Sequence, residues 1–168
     1  MSILYLVLGL VALQRLAELA YARRNERLLR AAGGQETGAG HYPLFIVLHA
    51  GWLLALAVFV SAHQAPNWGA LALFAVLQLG RLWVIASLGR FWTTRIITLP
   101  GAPLVRRGPY RWLKHPNYLI VAAEIAVLPL AFDAVRLALL FSILNAILLW
   151  YRIRIEDETL AARQQLDS

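Results

Sequence analysis

The chain has 168 residues, of which 60% are hydrophobic and 15% charged, with a mean hydropathy of +0.62. A water-soluble domain carries about a quarter charged residues, so this composition points instead to a single membrane-embedded domain spanning 1–168. No cysteine is present, which excludes disulfides, thiolate catalysis and cysteine-based metal sites. The net charge of +7 is dispersed between apolar runs rather than along one polar face, an arrangement that argues against nucleic acid.

The first apolar segment is 3–22 (ILYLVLGLVALQRLAELAYA), interrupted only by Arg15 and Glu18. At 1.5 Å per residue, about 20 residues cross a hydrocarbon core of roughly 30 Å. It does not read as a cleaved signal peptide, because no basic stretch precedes it and no small-residue cleavage site follows. Two further spans, 44–62 and 68–88, are joined by HQAPN at 63–67, which predicts a tight antiparallel hairpin. A polar linker covers 89–116. A fourth helix is expected over 117–132 and a fifth over 134–151, with Asp133 at the turn between them. The tail, 152–168, reads as a short amphipathic helix. The expected fold is therefore all-α and integral to the membrane, with five transmembrane helices, the last two forming a hairpin beside a cytosolic cofactor pocket.

Arginine and lysine set the orientation. Thirteen of the 16 lie in the loop after the first span, in 89–116 and in the tail, while 63–67 has none. This places those segments in the cytosol and the N-terminus outside, in a membrane of the bacterial inner type.

The ionisable residues within apolar segments are Arg15, Glu18, His49, Arg81 and Glu124, and each is costly in lipid unless paired or functional. Arg15 and Glu18 are three apart on one helix face and read as a structural pair. Arg81 and Glu124 are placed to meet between the third and fourth spans, either holding the bundle or lining a cavity. His49 reads as a hydrogen-bonded core histidine. The four histidines, His41, His49, His63 and His115, lack paired metal-ligand spacing, so no metal site is expected.

The linker departs from both neighbouring apolar runs at GPYRWLKHPNY, 108–118. Aromatics and cations at a membrane boundary commonly form an anchoring belt, which accounts for Trp92, Arg111 and Trp112. His115 directly before Pro116 needs another explanation. Proline suits the first helical turn, and the N–H groups of Asn117, Tyr118 and Leu119 would then offer an anion site. The tail supplies a second cluster, Arg152, Arg154, Glu156, Asp157 and Glu158, whose i,i+4 spacing also suits plain surface ion pairs. A hairpin of the last two spans brings the two clusters to one side, assembling Tyr110, His115, Tyr118, Arg152 and Glu156.

Those two stretches resemble the paired signatures of the isoprenylcysteine carboxyl methyltransferase family. GPYRWLKHPNYL is similar to its G-x-Y-x-x-x-R-H-P-x-Y pattern, and YRIRIEDETL to its arginine followed by two acids and a leucine. QRLAELAYARRNERLL and GRFWTTRIITLPG extend the likeness toward a bacterial subgroup of short proteins associated with type III polyketide synthases, which methylate alkylpyrones. The resemblance implies an O-methyltransferase using S-adenosylmethionine and a lipophilic small-molecule acceptor drawn from the membrane, either an alkylpyrone or phenolic polyketide lipid or a prenylated cysteine carboxylate, without metal or nucleic acid. Carried over, Tyr110, His115, Pro116, Tyr118, Leu119 and Glu156 would hold the cofactor. Arg152, with Glu156 or Asp157, would lie at the transfer site. Lys114 stands where the family has arginine, Ile120 where glycine commonly follows the H-P-x-Y stretch, and Asp157 shortens the second acid. Two other classes compete: an NADPH-dependent membrane reductase of the sterol-reductase type, and a non-catalytic protein binding anionic lipid through its basic face. GQETGAGH at 34–41 lacks the spacing of a dinucleotide-binding loop.

Overall fold

The computed structural model describes residues 2–38, 40, 42–102 and 105–166, with side chains through Thr159. His41 and the side chain of Arg163 lie outside the described residues, as do residues 167–168 of the expected tail.

Five helices carry the fold: α1 (Ile3–Ala31), α2 (Tyr42–Phe59), α3 (Trp68–Leu88), α4 (Pro116–Ala131) and α5 (Val135–Leu166). Two short strands, β1 (Gln35–Thr37) and β2 (Ile96–Thr98), pair antiparallel with Glu36 opposite Ile97. That ribbon is an addition to the all-helical expectation. Four of the helices are long and apolar enough to cross a membrane, and α4, with 16 residues, is shorter.

Helix α1 continues nine residues past the boundary at 22, because 23–31 contains strong helix formers apart from Asn25 and no glycine or proline occurs until Gly33. It stops there on a glycine pair. Gly33 adopts φ +92°, and a Cβ on Gly34 would stand 2.7 Å from the Leu29 carbonyl oxygen, which accepts the Gly34 N–H at 2.8 Å. Helix α5 likewise runs unbroken through the tail, since nothing from 135 to 166 interrupts it. The tail is thus rigidly continuous with the last apolar segment.

Hydrogen bonds identify the two ends of the bundle. At one end Ser2 Oγ donates to the Ala62 carbonyl at 2.6 Å, and the Asn67 N–H donates to the Ala131 carbonyl at 2.7 Å. Asn67 also caps α3, its Oδ1 accepting from the Ala70 N–H at 3.1 Å. At the other, basic end, Asn25 Nδ2 donates to the carbonyls of Gly89 (3.1 Å) and Trp92 (2.9 Å), tying α1 to the turn after α3. Short as it is, α4 reaches from the basic end at His115 to the opposite end at Ala131.

The packing is that of a lipid-facing bundle. Leu4, Trp52, Leu56, Ile125 and Leu128 are buried in one cluster, while Leu10, Leu13, Val47, Leu54 and Phe59 face outward. Inside it lies a four-membered ionic cluster. Arg81 is bound by Glu18 at 2.7 Å and approaches Glu124 at 3.4 Å, and Arg15 reaches Glu18 at 3.0 Å and Glu124 at 2.7 Å. Gln14 and Gln78 donate to the two carboxylates. Two cations meet two anions, so the cluster is neutral and each charge is hydrogen-bonded, the condition under which buried ions are tolerated. The Arg15–Glu18 pair and the Arg81–Glu124 meeting are thus parts of one network joining α1, α3 and α4.

Candidate active site

The N-terminus of α4 and the last turns of α5 meet at the basic end. Pro116 opens α4, buried, and directs the preceding His115 back across α5. His115 Nε2 lies 2.9 Å from Asp157 Oδ1, and its Nδ1 3.9 Å from Glu156 Oε1. The Tyr118 hydroxyl donates to Glu156 Oε2 in a very short contact and accepts from Arg152 Nε at 2.7 Å. The His115 and Tyr118 rings stack at 5.3 Å and 21°. Tyr118 therefore bridges Arg152 and Glu156, and these residues turn inward rather than pairing along a solvated helix surface.

This cluster forms one wall of a cavity of about 460 Å³. The opposite walls are β2, the turn at 91–93, and the short 3-10 turn Gly108–Arg111 that carries Tyr110. Burial, reinforced by the Glu156 charge, pushes the Tyr110 hydroxyl above its ordinary range, so it remains a neutral hydrogen-bonding group. The 3-10 turn depends on Gly108, at φ +57°, packed against Ser87. Leu119 does not line this cavity; it points outward, 63% exposed. The Tyr118 N–H is also taken up within the first turn, by the His115 carbonyl at 3.2 Å, so the expected row of three open amides is reduced.

A second cavity, of about 390 Å³, lies deeper, bounded by α1, α2, α4 and α5 and lined mostly by apolar side chains. It shares Trp92, Thr93, Asn117, Tyr118 and Arg152 with the first. Its polar positions include Arg15, Glu18 and Arg81 of the ionic cluster, and His49. Glu156 and Asp157 line only the first cavity. Arg152 packs over the Phe45 ring at 5.4 Å and the Tyr118 ring at 5.7 Å, at the junction of the two spaces.

Trp92 departs from its reading as a belt residue. It is 4% exposed, stands between the cavities under the Arg81 guanidinium at 5.8 Å, and its indole N–H has no hydrogen-bond partner among the described residues. The buried Asn117 Oδ1 is similarly unpaired. Spacing does not single out Trp92 as a site residue, since an aromatic in a basic loop carries the same signal whether it anchors or lines, and for Asn117 it points to the backbone N–H rather than the side chain. Trp112, by contrast, is 71% exposed, with Arg111 over its ring at 5.7 Å, in keeping with an interfacial role.

The sequence model of the isoprenylcysteine carboxyl methyltransferase family matches residues 70–162, from α3 through the acid cluster of α5. The chain belongs to the isoprenylcysteine carboxyl methyltransferase family. Membership makes it a membrane protein of methyltransferase type, with S-adenosylmethionine as the family's methyl donor. The uncharacterized protein YpbQ of Bacillus subtilis is 42% identical over 160 residues, 93% of this chain and 95% of that protein. An uncharacterized protein of Haemophilus influenzae is 26% identical over 154 residues, 88% of each chain. No solved structure matches. Among the described residues no group of histidines and acids is arranged to hold a metal ion.

Proposed function

We propose that this protein is a membrane-embedded O-methyltransferase that takes S-adenosylmethionine into the first cavity from the cytosol and a lipophilic acceptor into the second from the bilayer. The observation that carries the reading is the pair of adjoining cavities, one of mixed lining with several charged groups and one mostly apolar, meeting at Trp92, Asn117, Tyr118 and Arg152.

The residues present fit the cofactor. The first cavity falls within the roughly 300–1,000 Å³ range of small-molecule sites. Cations at Arg95, Arg106 and Lys114 suit a carboxylate, Glu156 and Asp157 suit an ammonium or ribose hydroxyls, and Leu88, Phe91 and Val105 offer apolar contact to a purine. The unpaired Trp92 N–H and Asn117 oxygen supply one donor and one acceptor where the cavities meet. When bound there, the cofactor supplies an electrophilic methyl group on sulfonium sulfur.

The chain's own task is then positioning. Methyl transfer needs in-line approach, and holding both reactants in place is worth several kcal/mol. Arg152, fixed by Tyr118 and stacked on Phe45, orients the acceptor oxygen electrostatically. Tyr118 couples that guanidinium to Glu156, so the acceptor side and the cofactor side are held by one hydrogen-bonded chain. The apolar lining of the second cavity excludes water from the reacting oxygen. The resemblance of the N-terminal half to the alkylpyrone-methylating subgroup favours a polyketide enol or phenol over a prenylated cysteine carboxylate.

Equilibrium binding of labelled S-adenosylmethionine and of NADPH to solubilised protein, followed by methyl transfer to an alkylpyrone and to a farnesylcysteine analogue, tests the proposal. Cofactor binding with methylation of the pyrone is expected. Binding of NADPH alone overturns it, and methylation of only the farnesylcysteine analogue overturns the acceptor preference.

A further inference from the structure

His49 lies on α2 one helical turn from Phe45 and lines the second cavity. Its Nδ1 is 2.8 Å from the Phe45 carbonyl oxygen. A carbonyl can only accept, so Nδ1 carries the hydrogen, and in the neutral ring Nε2 is left as a lone-pair acceptor. Nε2 makes no hydrogen bond among the described residues.

The cavity's other strong groups are differently disposed. Glu18 already accepts from Gln14, Arg15 and Arg81, and Arg15 and Arg81 are both spent on Glu18 and Glu124. Glu156 and Asp157 do not line this space. The Arg152 guanidinium packs on the ring of the same Phe45 whose carbonyl holds His49, and both residues line this cavity.

We propose that His49 Nε2 receives the hydroxyl hydrogen of the acceptor, so that the second cavity selects a lipophilic enol or phenol over a carboxylate. This rests on the methyltransferase reading above and adds the residue that recognises the acceptor. A carboxylate would bring only lone pairs toward Nε2; a hydroxyl brings a hydrogen. During transfer the acceptor oxygen forms its bond to the methyl carbon, and the methyl–sulfur bond breaks with its electron pair staying on sulfur. The hydroxyl proton passes to Nε2, so the positive charge lost at sulfonium appears on the imidazole.

His49→Asn keeps an amide N–H for the Phe45 carbonyl and removes the Nε2 lone pair, separating the two roles of the ring. Binding of 4-dodecylphenol and of its methyl ether to solubilised protein is compared by competition in the same detergent. The wild type is expected to prefer the phenol by about tenfold, the scale of one net hydrogen bond, and the variant to show no preference while its S-adenosylmethionine affinity is unchanged. Methylation of 4-dodecylphenol should fall about 100-fold in the variant, and that of 4-dodecyl-2,6-dinitrophenol, already ionised at neutral pH, less than about threefold. If the variant does not fold, the 15N resonance of His49 Nε2 in the wild type should move on adding the phenol and not on adding the ether. A wild type indifferent to the hydroxyl, a variant that keeps the preference, or an unmoved resonance overturns the proposal. Phenol preference without any S-adenosylmethionine binding would overturn the methyltransferase reading and leave the assignment of His49 as the hydroxyl acceptor standing, without a transfer step.

Discussion

His115 and Asp157, 42 residues apart in the chain, meet at 2.9 Å and clamp the first turn of α4 against the last turns of α5. Lys114 reaches the same carboxylate oxygen at 2.7 Å, but it is 63% exposed, so solvent screens the pair. The two partners of Asp157 therefore have unequal weight. His115→Ala should weaken S-adenosylmethionine binding about 10- to 100-fold, as expected for losing a hydrogen bond to a charged group together with the ring stacked on Tyr118. Lys114→Ala should change it less than about threefold. Titration calorimetry on solubilised protein checks both, and equal losses would contradict the ranking.

The ionic cluster makes a different prediction, about stability. Arg81 is 7% exposed and Glu124 1%, so removing the guanidinium leaves Glu18 and Glu124 sharing only Arg15. Breaking such a buried pair costs about 3–5 kcal/mol. Arg81→Met should lower the thermal midpoint in detergent on the order of 10 °C. A shift below about 2 °C would show that water or lipid headgroups already solvate the cluster.

Gly108→Ala should separate site assembly from helix packing. The added Cβ would fall 2.0 Å from Ser87 Oγ and 2.9 Å from Ser87 Cβ, at a φ of +57° that disfavours any side chain. A serine rotamer change relieves the first clash and not the second. The expected outcome is at least a tenfold loss of cofactor affinity through displacement of Tyr110, at nearly constant helicity by circular dichroism. Unchanged affinity would mean that the 3-10 turn does not set the cavity wall.

The ribbon should be acid-sensitive. Partial burial pulls the Glu36 carboxyl upward, but hydrogen bonds from Arg95, at 2.7 Å, and Arg30 outweigh it and hold the group below the ordinary carboxylate range. A carboxyl lowered in the folded state adds stability above the ordinary value of 4.5, and that contribution is lost as pH falls through its lowered value. Hydrogen-exchange protection of β1 and β2, corrected for intrinsic rates, should be level from pH 7 to about 5 and fall below 4. In Glu36→Gln it should be low throughout, and a wild-type profile without the acid fall would refute the role of this carboxylate.

The limits of sequence reading fall at identifiable residues. Trp92 and Trp112 carry the same local signal, an aromatic among cations near an apolar segment, and the fold buries one beneath Arg81 while exposing the other. Arg152 and Glu156 have the spacing of a surface ion pair, and only the approach of Tyr118 joins them by hydrogen bonds at the cavity wall. His49 looks the same in sequence whether it fills the core or faces a void.

What the chain settles by itself is anything that depends on neighbours along it. Apolar length marks the long hydrophobic helices and Pro116 starts α4, because each follows from backbone sterics and transfer energy within a few residues. The cavities arise from contacts across 34 to 109 residues, as between Arg152 and Tyr118 or Arg15 and Glu124. Empty space has no residue of its own. Its shape is decided when helices pack, and that is why two adjoining chambers became visible only in three dimensions.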